Sequence, residues 1–349
     1  MPRRIVTRDG SSFEIRDYEL PPVEADGVRV RVEFAAPKHG TERQLLTGSA
    51  FDRKRWDPEL RMFLPQEGEP EAPHTDQKRG VGNMVVGQVS QVGPDVTRYS
   101  VGDRVFGYGP VQEQHQAPED GWYPLGELCY EDAVCVDPAH VAFVAVRDGN
   151  IRIGDTVAVY GLGAIGLMAL QIARAGGARR VFAVDPLGAR RQQAVAHGAD
   201  TALDPGACDA ALEIKRATEG CGVDVSIETS GSGAALHESI RCIRQCGTVV
   251  HVPWGPADCT ALHLNEEFHL NRPTLVGSQA WEGWGNPDRS HPLWDPQRAF
   301  AATIQLFRDG LVTGKGIVTP IVGFEEAPQQ LGAIVQTKTD AIKVGVTVP

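Results

Sequence analysis

The sequence lacks any apolar run approaching the roughly 18 residues that a membrane-spanning helix needs. Its opening residues, Met1-Pro2-Arg3-Arg4, lead straight into a strand-like pattern with no apolar targeting stretch, so a soluble, cytoplasmic protein is expected. Positive charge is also in short supply: 34 Lys and Arg stand against 45 Asp and Glu, a formal net charge of −11 at pH 7. Such an exterior repels phosphate backbones and anionic membrane surfaces, which disfavours nucleic acid and membrane partners. Cysteine is present but without a pattern. Cys129, Cys135, Cys208, Cys221, Cys242, Cys246 and Cys259 are odd in number and contain no Cys-x-x-Cys pair, which argues against a disulfide framework and a four-thiolate zinc lobe. They are expected to be small buried hydrophobes in a reducing compartment. Internal repeats and low-complexity tails are missing as well.

What is present divides the 349 residues into two textures. From Arg4 to about Asp137 the chain is rich in short β-type runs broken by Gly and Pro; Val28–Phe34 and Val85–Gly93 both alternate, which predicts an all-β, barrel-like region. Two long connections, Ala50 to Gly80 and Gly109 to Gly126, exceed what an idle loop needs; they are either lids over a site or disordered surface, and their Trp56, Met62, Phe63 and Trp122 favour lids. From Thr156 continuous apolar strands alternate with helices, the mark of a parallel sheet buried on both faces. The predicted strands are Thr156–Tyr160, Arg180–Asp185, Val223–Glu228, Thr248–Val252 and Thr274–Gly277; the predicted helices are Ala164–Ala175, Gly188–His197, Ala234–Ile243 and Gln297–Asp309. A last strand, Ala341–Val348, returns to the first texture.

The strongest chemical signal is Gly161-Leu162-Gly163-Ala164-Ile165-Gly166, which follows an apolar strand directly and opens a helix. In that context the first glycine permits a tight turn and the second lets the backbone approach a pyrophosphate. The third lets the helix press on the sheet, and the helix N-terminus supplies free N–H groups. Asp185 closes the next strand at the spacing of a carboxylate that accepts hydrogen bonds from the adenosine ribose. A 2′-phosphate would be repelled there, so NAD is the expected cofactor rather than NADP. Arg190 and Arg191 complicate this, because arginines in that place can clamp a 2′-phosphate; the alternative is a solvated helix face. Glu228-Thr229-Ser230-Gly231-Ser232-Gly233 ends another strand on the ligand-binding edge, where Thr229 and Ser230 are expected to line the nicotinamide end. His251 ends a further strand and is read equally as a structural histidine or a substrate contact.

Together these features resemble the medium-chain dehydrogenase/reductase superfamily, in particular its zinc alcohol and polyol dehydrogenases, over nearly the whole chain. The matching runs include Gly93 and Val96 before Gly102-Asp103-Arg104-Val105, then Gly154-Asp155-Thr156-Val157, Arg191…Ala194…His197-Gly198-Ala199-Asp200, and Ile342-Lys343-Val344. The resemblance implies an α/β fold in which a GroES-like β-barrel catalytic domain (1–138 and 281–349) is joined to a Rossmann doubly wound parallel sheet (139–280). It also implies a homodimer or homotetramer that oxidises an alcohol reversibly with NAD(P).

The metal site departs from the family pattern. Where the family has a Cys-Gly-Thr/Ser-Asp motif this chain has His39-Gly40-Thr41-Glu42, and where it has Gly-His-Glu this chain has Gly82-Asn83-Met84. The third ligand could only be Asp137 of Asp137-Pro138. An asparagine is a poor substitute for an imidazole on zinc, so no catalytic zinc is expected. A side chain must then remove the alcohol proton. His39 is the first candidate and Lys38 an alternative if burial strips its proton. Thr41 matches the family's relay hydroxyl, and Glu42 could orient His39 or bind a substrate hydroxyl. His39 and Lys38 are equally readable as ordinary loop residues beside a barrel strand. His74, His115, His140 and His291 have no supporting spacing.

The resulting expectation is NAD-dependent oxidation of a secondary alcohol on a polar small molecule, a sugar, polyol or cyclitol, without catalytic zinc. Two rivals stand beside it: a zinc-independent NAD(P)H-dependent reductase of activated alkenes or quinones, and a non-catalytic NAD-binding protein.

Overall fold

The β-type runs of the first third form strands β1 (Arg3–Thr7), β2 (Phe13–Asp17), β3 (Gly27–Pro37), β4 (Lys54–Asp57), β5 (Met62–Pro65), β6 (Arg79–Gly80), β7 (Gly82–Val92), β8 (Arg104–Pro110), β9 (Gln114–Pro118) and β10 (Trp122–Pro124), followed by helix α1 (Tyr130–Val134). They are taken from a computed structural model that describes residues 1–7, 12–38, 54–65, 79–254, 259–280, 294–336 and 340–349. Alternation does the organising: Val28, Val30 and Val32 of β3 are buried, while Arg29 and Arg31 point outward to Gln91, Gln116 and Gln88. Each such valine contributes roughly 1.5 kcal/mol or more of burial. β3 and β7 run antiparallel from Val28↔Val92 to Pro37↔Asn83, with register shifts that bend the pair. The Gly109–Gly126 stretch is not a lid. It contains β9 and β10, and Trp122 is fully buried in the core with Val28, Val30 and Val105, because the indole sits on the inward face of a strand too short to read from sequence. Within the other long connection, β4 and β5 pair as a hairpin with the Trp56 and Phe63 rings 5.1 Å apart.

The second texture folds as α2 (Val136–Asp148), β11 (Thr156–Tyr160), α3 (Ala164–Ala175), β12 (Arg180–Val184), α4 (Gly188–Ala196), β13 (Thr201–Leu203), α5 (Ala210–Ala217), β14 (Val223–Glu228), α6 (Gly233–Arg241), β15 (Ile243–His251), α7 (Glu267–Asn271), β16 (Thr274–Gly277) and α8 (Pro296–Arg308). The strands pair in parallel in the order β13-β12-β11-β14-β15-β16. β11 is buried at every residue, as a central strand covered on both faces must be. The order reverses between β11 and β14, and the crevice beyond their carboxyl ends is where such sheets bind ligands. β15 starts earlier than its apolar core suggests, with Cys246 at φ +57° and a register shift at Val223/Val225.

After α8 the chain forms β17 (Val318–Gly323), α9 (Ala327–Gln336) and β18 (Lys343–Thr347). β18 pairs antiparallel with β3 at Phe34 and Ala35, while β9 takes the earlier part of that same strand, so the sheet of the first unit curls into a barrel. The chain divides into one unit of Met1–Val134 with Val318–Pro349 and another of Cys135–Ile317. The boundaries thus differ from those expected at 138/139 and 280/281. Residues after 280 stay with the parallel sheet because α8 packs on α2, with His140 and Phe300 rings 5.3 Å apart and Arg147 over Trp294 at 3.9 Å. The cysteines also depart from expectation. None of the seven forms a disulfide, but only Cys135 and Cys242 are buried and Cys221, Cys246 and Cys259 are exposed. Among the described residues no helix is long and apolar enough to cross a membrane.

Candidate functional site

The three glycines of the turn after β11 differ in measurable ways. Gly161 sits at φ +85°, a conformation side chains resist, and a Cβ there would meet Ser230 at 2.8 Å. A Cβ on Gly166 would fall 1.8 Å from the Gly161 carbonyl oxygen, so only glycine lets α3 start this close to the turn. Gly163 is different: it caps α3 at φ −72°, with no side-chain cap and no atom within 4 Å of a built Cβ. The helix therefore begins with uncapped N–H groups at Ala164 and Ile165 beside open space, and no acidic residue in its first turn repels an anion. Leu162 is the buried anchor of the loop. Thr229 fixes it from β14, its hydroxyl donating to the Gly161 carbonyl at 2.7 Å.

Asp185 follows β12 and is 4% exposed. The Leu162 N–H donates to its Oδ2 and the Leu187 N–H to its Oδ1, both at 2.8 Å, which locks the carboxylate plane at the mouth of the phosphate loop. Arg191 is tied elsewhere: Nη1 donates to the Asp185 carbonyl at 2.7 Å and Nη2 pairs with Asp204 at 2.9 Å. Arg190 Nη1 lies 3.9 Å from Asp185 Oδ2. Of the two arginines, Arg190 is therefore the one whose guanidinium faces the Asp185 carboxylate.

Across the switch point, Glu228 ends β14 fully buried. Its Oε1 accepts from the Ser230 N–H (2.5 Å), the Ser230 hydroxyl (2.5 Å) and the Gly231 N–H (3.0 Å), which shapes the turn after the strand. Its Oε2 faces Nδ1 of His251 at 3.0 Å, the residue paired with it in register at the end of β15. The sequence marked both residues separately. Their pairing depends on the β14–β15 register, which no motif reveals.

In the first unit the register pair Pro37↔Asn83 brings Lys38 and Asn83 to one end of the β3–β7 pair, and buried Lys343 of β18 donates to the Pro37 carbonyl at 3.1 Å. His39, Thr41 and Glu42 lie outside the described residues, as do His74 and His291. Asn83 Oδ1 is buried and accepts no hydrogen bond from any described residue, and fully buried Met84 stands where the family has the carboxylate beside its ligand histidine. A neutral carboxamide oxygen fits a hydroxyl donor better than a zinc ion, so this part of the donor set does not fit the family's metal. Asp137 is buried in the first turn of α2, in the other unit.

Two other groupings have structural roles. His115 is held on both sides, Nδ1 by Gln112 and Nε2 by the Tyr108 carbonyl, each at 3.0 Å. His237, Glu266 and Glu267 hold ligand atoms within 4.8 Å of one another, but Arg241 Nε already lies 3.5 Å from Glu267 and supplies a cation there.

Comparison with known proteins agrees with this geometry. The family described as zinc-binding dehydrogenase matches residues 164–288. D-guloside 3-dehydrogenase of Escherichia coli (strain K12) is 37% identical over 337 residues, covering 95% of each chain. Sorbitol dehydrogenase of Bacillus subtilis (strain 168) is 26% identical over 298 residues, covering 76% of this chain and 80% of that one. The crystal structure of 2R,3R-butanediol dehydrogenase from Bacillus subtilis superposes with a TM-score of 0.75 at 23% identity over 99% of both chains, a likeness of fold. With a relative this similar along nearly its whole length, the chain belongs to the medium-chain dehydrogenase/reductase superfamily and is an oxidoreductase.

Proposed function

We propose that this protein oxidises a secondary alcohol of a sugar, polyol or cyclitol to the ketone, using NAD and no catalytic zinc. The observation that carries the reading is the pairing of an open, uncapped phosphate loop at Gly163 with a buried, backbone-locked carboxylate at Asp185. Gly161–Gly166 would hold the pyrophosphate, Asp185 the adenosine ribose hydroxyls, and Thr229 and Ser230 the edge towards the nicotinamide. The bound dinucleotide supplies the hydride acceptor. A carboxylate disfavours a 2′-phosphate, which supports NAD over NADP; Arg190 lowers that discrimination without removing it.

A polar substrate is supported by the relatives, named for a guloside and for sorbitol, and by the Asn83 oxygen, which accepts no hydrogen bond from any described residue and suits a substrate hydroxyl. Absence of catalytic zinc is supported by Asn83 at the position of the family's ligand histidine and by Met84 in place of the carboxylate beside it. The proton then leaves through side chains, for which Lys38, His39, Thr41 and Glu42 are the candidates. Binding titrations with NADH and NADPH, followed by NADH formation on a panel of sugars, polyols, cyclitols and simple alcohols, test the reading. Tighter NADPH binding, or no turnover on any polar alcohol, would count against it.

Assembly as a homodimer or homotetramer is proposed from β16, an edge strand with Leu275 at 43% exposure and Leu270 nearby at 72%; a monomer in sedimentation would contradict it. The exposed thiols of Cys221, Cys246 and Cys259 suit the cytoplasm, and disulfide-linked native protein in mass spectra would argue otherwise.

A further inference from the structure

We propose that Asp204 is a positioning residue for cofactor choice: it holds the Arg191 guanidinium in an ion pair and so withholds it from a 2′-phosphate on the dinucleotide. The inference rests on the NAD reading above and deepens it by naming the residue that keeps a phosphate-binding side chain out of use. By sequence Arg191 has two uses, a phosphate clamp or a solvated helix face. In the structure it has neither, because both ends of its guanidinium are bound within the protein and only 22% of its side chain is exposed.

Strand register brings the parts together. β12 and β13 pair in parallel with Val184 opposite Leu203, and the Asp185 N–H donates to the Leu203 carbonyl at 3.3 Å. Asp185 and Asp204 therefore leave the sheet side by side at its ligand-binding edge. Arg191 lies in the first turn of α4, and its side chain reaches back to these strand ends. Nη1 donates to the Asp185 carbonyl at 2.7 Å, and Nη2 pairs with Asp204 Oδ2 at 2.9 Å. The Gly206 N–H donates to Asp204 Oδ1 at 2.9 Å, which fixes the carboxylate with its other oxygen towards the arginine. The two carboxylates stand beside two guanidiniums, those of Arg190 and Arg191, and these four charges cancel. A 2′-phosphate would bring about 1.5 to 2 negative charges to this balanced set. Without the Asp204 charge one positive charge is left over, on a planar donor fork suited to phosphate oxygens and already bonded to the residue that takes the ribose. A dinucleotide without the 2′-phosphate gains nothing from that change.

The test is fluorescence titration of the full-length protein with NADPH and with NADH, which reads binding without turnover. The variants are Asp204→Asn, Asp204→Glu, Arg191→Gln and the double variant D204N/R191Q. In D204N the amide oxygen keeps the Gly206 N–H and the NH2 turns to Arg191, releasing the guanidinium without changing the size of the side chain. D204N is expected to bind NADPH at least about fivefold tighter than wild type and NADH within about twofold. D204E keeps the charge and should keep the wild-type ratio of the two affinities, and the double variant should lose the gain. R191Q alone should leave that ratio within about twofold, since the arginine is not yet in use. An unchanged ratio in D204N, or a gain that survives in the double variant, overturns the proposal. So does a selective loss of NADPH binding in R191Q, an arm that decides the matter even if the Asp204 variants fail to fold. A merely structural Asp204 would weaken both cofactors alike and leave the ratio where it was. Failure of the parent reading looks different: the wild-type protein itself would bind NADPH more tightly than NADH, whatever the variants do.

Discussion

At the residue scale, two glycines of one motif make opposite predictions. Gly163→Ala adds a methyl into open space at an ordinary φ, so thermal stability should hold within about 0.5 kcal/mol while NAD binding weakens roughly 5- to 150-fold, the 1–3 kcal/mol of an overpacked contact. Gly166→Ala places its Cβ 1.8 Å from a backbone oxygen and should cost about 3 kcal/mol of stability or more. Thermal denaturation and NADH fluorescence titration of both proteins check the pair; equal stability losses would refute the division of roles. These residues were legible because the motif fixes the backbone locally. Asp185 was legible because its distance along the chain is set by one β-α-β unit. Arg191 was not, since its partner Asp204 lies one strand further on. The Glu228–His251 contact was hidden for the same reason: it joins two strands whose register includes an irregularity near Val223.

Elements show where sequence pattern gives out. The central apolar strands and the four predicted helices were read to within a few residues, because burial imposes a period, whereas α2, α5 and α9 were not predicted. Short strands carry no period, and that is why Trp122 in the three-residue β10 was taken for part of a lid. As a core residue it makes a clear prediction: Trp122→Ala should lower unfolding free energy by about 3–5 kcal/mol in denaturant titrations. A lid residue would instead change KM and leave stability alone. The neighbouring β9 carries a pH signal. Burial pushes the His115 imidazole below its ordinary value, and the Tyr108 carbonyl only partly offsets this. The unfolded chain takes up that proton near pH 6.5 and the folded protein only at lower pH, so stability falls as pH drops below about 6.5. The decline in melting temperature between pH 7 and pH 5 should therefore be shallower in His115→Gln than in wild type. An equal slope would mean that this ring does not couple to folding. The helix α2 was not predicted; its Pro138 sits in the first turn, where its missing N–H has no partner to lose.

At the scale of the whole molecule, the order of textures along the chain was enough to place a barrel and a doubly wound sheet, since each class of strand announces how many of its faces are covered. The outer boundary was not legible, because α8 is assigned by what it packs on, and α2 lies more than a hundred residues earlier. The same limit applies to the reaction: the family's ligands are spread over distant segments, and this chain has replaced the ones that can be compared in sequence. The central claim is NAD-linked oxidation of a polar alcohol without zinc. Its most direct test is the metal content of the purified protein, measured alongside NADH formation on the best polar substrate before and after dialysis against a chelator. The account predicts turnover unchanged by the chelator, with far less than one zinc per subunit; one tightly bound zinc per subunit, lost with activity and restoring it on return, would contradict it.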